Sequence, residues 1–207
     1  MTMSFQEACD TVCAPGTRFE IQEVDVFGVP TKVFAGTPSN MRYLFAAAAA
    51  RTDDFIVFED ERWPMPRVTE LIGQIGHALV NDLGVTKGDR VAIAMRNYPE
   101  WVVAYWATLS IGAAAVGMNA WWTSQEMAFG LGDSRPKVLI ADDERIERVL
   151  PLLDELRAES PLHVIAVRSD RELPADTSRW ADVVDPGTAP DGLPAAEIDP
   201  DDDATIF

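Results

Sequence analysis

Residues Gly88–Met118 read GDRVAIAMRNYPEWVVAYWATLSIGAAAVGM. Arg90–Met95 is a short apolar run behind a Gly-Asp turn, the pattern of a strand buried on both faces. A helix start follows. Asn97 can cap it, Pro99 fits its first turn, and Glu100 suits the positive end of a helix. Ala113–Asn119, AAAVGMN, is a second strand, built from small residues. Strand, long helix and strand within one short stretch predict a parallel crossover.

The same alternation continues on both sides. Downstream, Thr123 and Glu126 form a capping-box pattern at the head of TSQEMAFGLG. Pro136–Asp142, PKVLIAD, is another buried strand. Residues 143–159, DERIERVLPLLDELRAE, are amphipathic, and Pro151 kinks or splits them. His163–Val167, HVIAV, is the last clear strand. Upstream, Pro66 opens a helix through Leu83, with apolar residues at 68, 71, 72, 75, 79 and 83, and Gly84 ends it. Ser39 or Asn40 heads a helix through the alanine run at 46–50. Residues 54–65 read as strand, acidic turn and short strand; residues 19–36 read as two short strands broken at Gly28 and Pro30. The expectation is therefore an α/β fold: a mostly parallel sheet with helices on both faces, preceded by a short β-hairpin. Residues 168–203 carry five prolines and many aspartates, and read as an irregular connector with a short helix around Trp180. The expected organisation is an extension with the hairpin over 1–37, an α/β subdomain over 38–167, and an acidic connector over 168–207.

The 207 residues can bury a sizeable core, and 47% apolar with 25% charged residues is ordinary for a globular protein. A net charge of −17 argues against nucleic acid and against an anionic membrane surface. Trp101–Gln125 carries no charge and is long enough to cross a bilayer, yet Gly112, Gly117 and Asn119 favour a buried helix followed by a buried strand. The N-terminus has neither a basic start nor an apolar run, so it is no secretory signal. Cys9 and Cys13, with only His77 and His163 elsewhere, make no zinc set and read as reduced thiols near a mobile end of a cytoplasmic protein.

Reaction centres are absent from the pattern. No Gly-x-x-x-x-Gly-Lys-Ser/Thr loop and no Gly-x-Ser-x-Gly elbow occur. Gly130–Arg135, GLGDSR, follows a helix and reads as its end. Asp142 and Asp143 stabilise a helix start. His77 reads as a packed or surface histidine, and His163 as a strand-start residue facing solvent or a cap. No catalytic residue and no metal ligand is assigned. Ligands of such sheets bind outside the carboxyl ends of the strands, here MRNYPE, MNAWWT, ADDERI and VRSDRE, of which the first two carry the polar and aromatic groups of interest.

Residues 84–141, dense in Gly-Asp-Arg-Val-Ala, Asn-x-x-Glu, Gly-Ala and a strand ending in Asn119, resemble the N-terminal region of the AMP-forming acyl-CoA synthetases, the adenylate-forming ligase superfamily. Residues 38–83 match more loosely, and Phe27–Phe45 looks like the fatty-acid branch. The final Asp-x-Ala-x-Ile-Phe, Asp202–Phe207, is similar to the segment leading into that family's Ser/Thr/Gly-rich ATP loop. The resemblance implies a fragment that lacks the ATP loop and catalytic lysine, inactive alone and with no cofactor of its own. It implies a whole enzyme using ATP, Mg2+ and coenzyme A on a fatty acid or other carboxylate, with the rest of the ligase chain as partner. It also implies a place for Asn119, Trp121 and Trp122. In some relatives a basic residue at the position of Trp121 meets coenzyme A; here the two tryptophans could line an acyl or pantetheine passage, or at least one could be packing. Two further readings stay open: a fatty acyl-AMP ligase that loads a carrier protein, and a non-catalytic α/β binding module. An unpaired strand at Thr205–Phe207 would favour self-association.

Overall fold

A computed structural model describes residues 3–184 and 192–207, so the part of the expected connector over 185–191 lies outside the described residues. The chain forms two compact units, Met1–Ser39 and Asn40–Phe207. The first holds helix α1 (Phe5–Val12) and strands β1 (Ile21–Val26) and β2 (Val29–Phe34). Helix α1 stands where a mobile end was expected: Ser4 and Glu7 close a reciprocal capping box that satisfies two orphan N–H groups. Cys9 lies in this helix, Cys13 caps it, and both thiols are free. The expected hairpin is present, antiparallel, with Val26 opposite Val29 across the two-residue turn Phe27–Gly28.

The second unit runs α2 (Met41–Ala49), β3 (Asp54–Phe58), β4 (Glu61–Pro64), α3 (Met65–His77), β5 (Arg90–Ala94), α4 (Pro99–Ser110), β6 (Ala114–Gly117) and α5 (Ser124–Ser134). It continues with β7 (Val138–Asp142), α6 (Asp143–Val149), α7 (Leu153–Glu159), β8 (His163–Val167), β9 (Thr177–Arg179), α8 (Trp180–Val183) and β10 (Thr205–Ile206). Strands β3 and β4 pair as a hairpin, and the other six form one parallel sheet ordered β10-β6-β5-β7-β8-β9.

Strand periodicity divides the core in two. Val91, Ile93, Val138, Ile140, Ile165 and Val167 face one side, where Phe45, Ile72, Val103 and Trp180 from α2, α3, α4 and α8 cover them. Ala92, Ala94, Leu139, Ala141, Val164 and Ala166 face the other, under Met127, Leu131, Ile146 and Leu153 from α5, α6 and α7. Helices thus lie on both faces, as the alternating pattern requires. The uncharged Trp101–Gln125 stretch resolves into the rest of α4, the buried strand β6 and a loop. No helix among the described residues is long and apolar enough to cross a membrane.

Local expectations were met unevenly. Pro151 splits its helix into α6 and α7 through a single 3-10 turn, as a missing N–H requires. The helix from Pro66 ends in a π-turn, Ala78–Asp82, before Gly84 at φ +62°. Asn97 is not the cap of α4; that position is Tyr98, with no side-chain bond. Asn40 stands at the N-cap of α2, but its Nδ2 donates to the Ile198 carbonyl at 3.0 Å instead of its amide oxygen capping the helix. Within the segment read as irregular, β9 extends the sheet beside β8. The last strand is not unpaired: Thr205 and Ile206 lie parallel to Ala115 and Val116, and the Thr205 hydroxyl shares a 3.1 Å hydrogen bond with Tyr105. Its pairing partner is distant in sequence, which is why the strand reads as unpaired from local signals.

Ile140, fully buried at the sheet centre, provides a test of this packing. Ile140→Ala is expected to lower the unfolding free energy by about 2–5 kcal/mol and Ile140→Val by about 0.5–1.5 kcal/mol, read from urea denaturation.

Candidate functional site

The carboxyl ends of β5–β8 and the starts of α4, α5 and α6 share one rim of the sheet. Strands β6 and β7 flank β5, and the chain reaches them through helices on opposite faces. The strand order therefore reverses beside β5, where sheets of this kind open a ligand crevice. Charged residues of the protein meet one another there. Asp142 caps α6 by accepting the Arg145 backbone N–H at 3.0 Å, and its other oxygen accepts the Arg96 N–H at 3.0 Å. The Arg145 side chain, 1% exposed, donates from Nη1 to Asp142 Oδ2 at 3.1 Å and to Glu144 Oε2 at 2.9 Å.

Asn119, Trp121 and Trp122 occupy the loop between β6 and α5, and the structure gives them three different surroundings. The exposed Asn119 side chain accepts the Trp121 N–H at 2.9 Å, a local turn that needs a short polar side chain. Trp121 is 76% exposed, with the Arg96 guanidinium 5.7 Å from its ring centroid. Trp122 is half-buried and packs on the second core. Its ring lies over Gly130, where a Cβ would stand 2.7 Å from Cζ3. Thr123 and Glu126 then start α5 with the expected capping box. Arg145 and Arg148 were not singled out from sequence, because arginines on an amphipathic helix read as a solvated face.

Two more charged groups tie the rim together. Arg168, at φ +51°, donates to Glu100 at 2.9 Å and Glu61 at 3.1 Å. Its guanidinium stands 4.9 Å from the Tyr98 ring centroid and 5.3 Å from that of Phe58, which links the β3–β4 hairpin to the start of α4. Asp143 is held by Arg171 at 2.6 and 2.9 Å and by the Ser169 hydroxyl. The Arg171 guanidinium, and after it Ser169, lower this carboxyl from 3.8 to about 2. Asp143 therefore does more than start a helix.

At the opposite end of the sheet a cleft of about 660 Å³ carries Arg90, Arg135, Lys137, Arg157 and His163. Arg90 donates to the Ser134 and Arg135 carbonyls at 2.7 and 2.9 Å, and Arg157 to those of Leu162 and Asp176, both at 2.9 Å. Arg90 thus satisfies the negative end of α5, and the cleft gains no net pull on an anion from it. His163 is half-buried and bonded to Ser178 at 3.0 Å, and burial pushes its imidazole below the ordinary value. His77 Nε2 is buried in α3 and has no hydrogen-bond partner among the described residues. Neither histidine lies at the rim. Among the described residues no group of three or more His, Cys, Asp or Glu is placed to hold a metal ion.

A doubly wound parallel domain whose rim carries loops and charge defines the class of protein. The AMP-binding enzyme family model matches residues 44–207, and the chain belongs to that family. It is 34% identical over 110 residues to the 2-succinylbenzoate–CoA ligase of Bacillus velezensis, covering 50% of this chain and 23% of that one. It is 36% identical over 78 residues to the long-chain-fatty-acid–CoA ligase FadD13 of Mycobacterium tuberculosis, covering 38% of this chain and 15% of that one. The matches thus span less than a quarter of the length of either relative. The coronafacic acid ligase structure from Pectobacterium brasiliense superposes with a TM-score of 0.71 at 21% identity, covering 81% of this chain and 33% of that one, a likeness of fold.

Two outcomes follow from the rim. Gly130→Ala is expected to displace the Trp122 ring and to cost about 1–3 kcal/mol in urea denaturation, as overpacking does. The folded pKa of Asp143 lies below its unfolded value, so the contribution of the Arg171 pair is complete above pH 3.8 and is lost as pH falls through about 2. Asp143→Asn is expected to remove that part of the acid dependence. The gap between its urea midpoint and that of the unsubstituted chain should be constant near neutrality and should close across this window.

Proposed function

We propose that this chain is the N-terminal part of an AMP-forming acid–thiol ligase of the fatty-acid type, acting in the cytoplasm. In the whole enzyme a carboxylate attacks the α-phosphate of ATP, giving an acyl-adenylate and pyrophosphate. The coenzyme A thiol then attacks the acyl carbon, giving the thioester and AMP. The observation that carries the reading is the family match over residues 44–207. The fatty-acid type is supported by the likeness to FadD13 and by the Phe27–Phe45 stretch.

In this reading the Mg2+ and the phosphates of ATP are held by the rest of the ligase chain, since the sequence given has no Gly-rich loop with a lysine. The role proposed for this chain is to supply a wall. Trp121 presents an indole at the rim beside Arg96, and together with Asn119 and Trp122 it borders the passage for the acyl chain or the pantetheine arm. The division into 1–37, 38–167 and 168–207 belongs to the same proposal. The rest of the ligase chain would cover the outer edge of β10, which in the chain alone favours self-association.

In the whole enzyme, Trp121→Ala is expected to raise the KM for the carboxylate or for coenzyme A by about threefold to tenfold with a smaller change in kcat, the signature of lost uniform binding. Two unaltered constants would remove the role. The 207 residues alone are expected to show no ATP–pyrophosphate exchange, and exchange above background would contradict the proposed division of labour.

A further inference from the structure

We infer that Arg145, seconded by Arg148, is a positioning residue: at the carboxyl rim beside β5 it sets the conformation of the Asn119–Trp122 loop. The Ala120 carbonyl is the anchor. It accepts from Arg145 Nε at 2.8 Å, from Arg145 Nη2, and from Arg148 Nη1 at 3.1 Å. A carbonyl oxygen has two lone pairs, so three guanidinium donors leave it no further capacity. Arg148 Nη1 also donates to the Trp122 carbonyl at 2.8 Å. On the donor side, the Trp121 N–H meets Asn119 Oδ1 at 2.9 Å, and the Trp122 N–H meets the Asn119 carbonyl at 3.1 Å. In a loop without regular structure, the Ala120 and Trp122 carbonyls and the Trp121 and Trp122 N–H groups are thus held, while the Trp121 indole stands exposed.

The arrangement exceeds what a strand-to-helix connection requires. Loops normally lie on the surface, where water satisfies their polar groups. Here the loop is held by a guanidinium that is 1% exposed and is oriented in turn by Asp142. Glu144 joins the second arm, accepting from Arg96 at 3.0 Å, from Arg145 at 2.9 Å and from Arg148. Since Arg96 also stands over Trp121, the network orients both groups that the rim presents. Arg96, Arg145 and Arg148 set against Asp142 and Glu144 leave one positive charge in excess, in a chain of net charge −17. Any relevance to ligand binding rests on the proposed function; the clamp itself is measurable without ligand.

The experiment is hydrogen exchange by mass spectrometry on this chain, with iodide quenching of Trp121 fluorescence taken as the difference between each variant and its Trp121→Phe counterpart. In Arg145→Met, the amides of Trp121 and Trp122 are expected to exchange about tenfold faster, with those of β5, β7 and β8 unchanged, as in a local opening. Arg145→Lys keeps the charge but loses the fork, and should recover little of the protection. Arg148→Ala removes a partly exposed side chain and should accelerate the same amides by about threefold, with unchanged thermal unfolding and altered quenching of Trp121. If Arg145→Met loses protection throughout, the Arg148→Ala result decides. Unchanged exchange at Trp121 and Trp122 in Arg148→Ala, or acceleration spread evenly over the sheet, overturns the inference. A failure of Trp121→Ala to alter substrate constants would leave this result standing and would count against the proposed function alone.

Discussion

A parallel sheet with crossover helices has no wet face, and in β5 and β7 every residue from Val91 to Ala94 and from Val138 to Asp142 is accordingly buried. The rest of the domain follows from this demand. Side chains alternate across each strand, so two separate cores form, and helices must be supplied to both sides. Each helix returns the chain to the amino end of the next strand, which leaves the carboxyl ends and helix starts on one common rim. The chemistry available to this protein is therefore concentrated there by packing, before any residue at the rim is chosen.

Charge at that rim answers a second constraint. A buried arginine is tolerated only where its desolvation is offset by close partners, and removing one partner of such a pair typically costs about 3–5 kcal/mol. Arg145 meets this condition with Asp142, Glu144 and the Ala120 carbonyl. Nearer the surface, Arg168 is joined to Glu100, Glu61 and two aromatic rings, and Arg171 to Asp143. Each ties together segments that are far apart in the chain.

The sheet was legible because its signals are local. Apolar runs such as RVAIAM and PKVLIAD, the capping box of Thr123 and Glu126, and the helix split at Pro151 each depend on neighbours within a few residues. The Asn119–Trp122 loop could also be placed, since it follows from where β6 ends. Strand β9 was not legible, and the strand at Thr205–Phe207 was legible only without its partner. Two or three residues carry no period of their own, and their pairing depends on an existing edge supplied by β8 or β6. The same limit hid the different surroundings of the two tryptophans: Gly130, eight residues beyond Trp122, opens the space that takes its ring, while nothing covers Trp121.

By itself the sequence determined the order of elements, the alternation that requires a two-sided parallel sheet, and the loops that fall at its carboxyl rim, because hydrophobic period and turn chemistry are properties of short stretches. Only the tertiary structure decided which charges meet. Arg145 on the Ala120 carbonyl, Arg168 between Glu61 and Glu100, and Asp143 beside Arg171 are products of strand order and helix crossover. Pairing between residues distant in the chain costs loop-closure entropy that the packed sheet has already met, so it leaves no local signature to read.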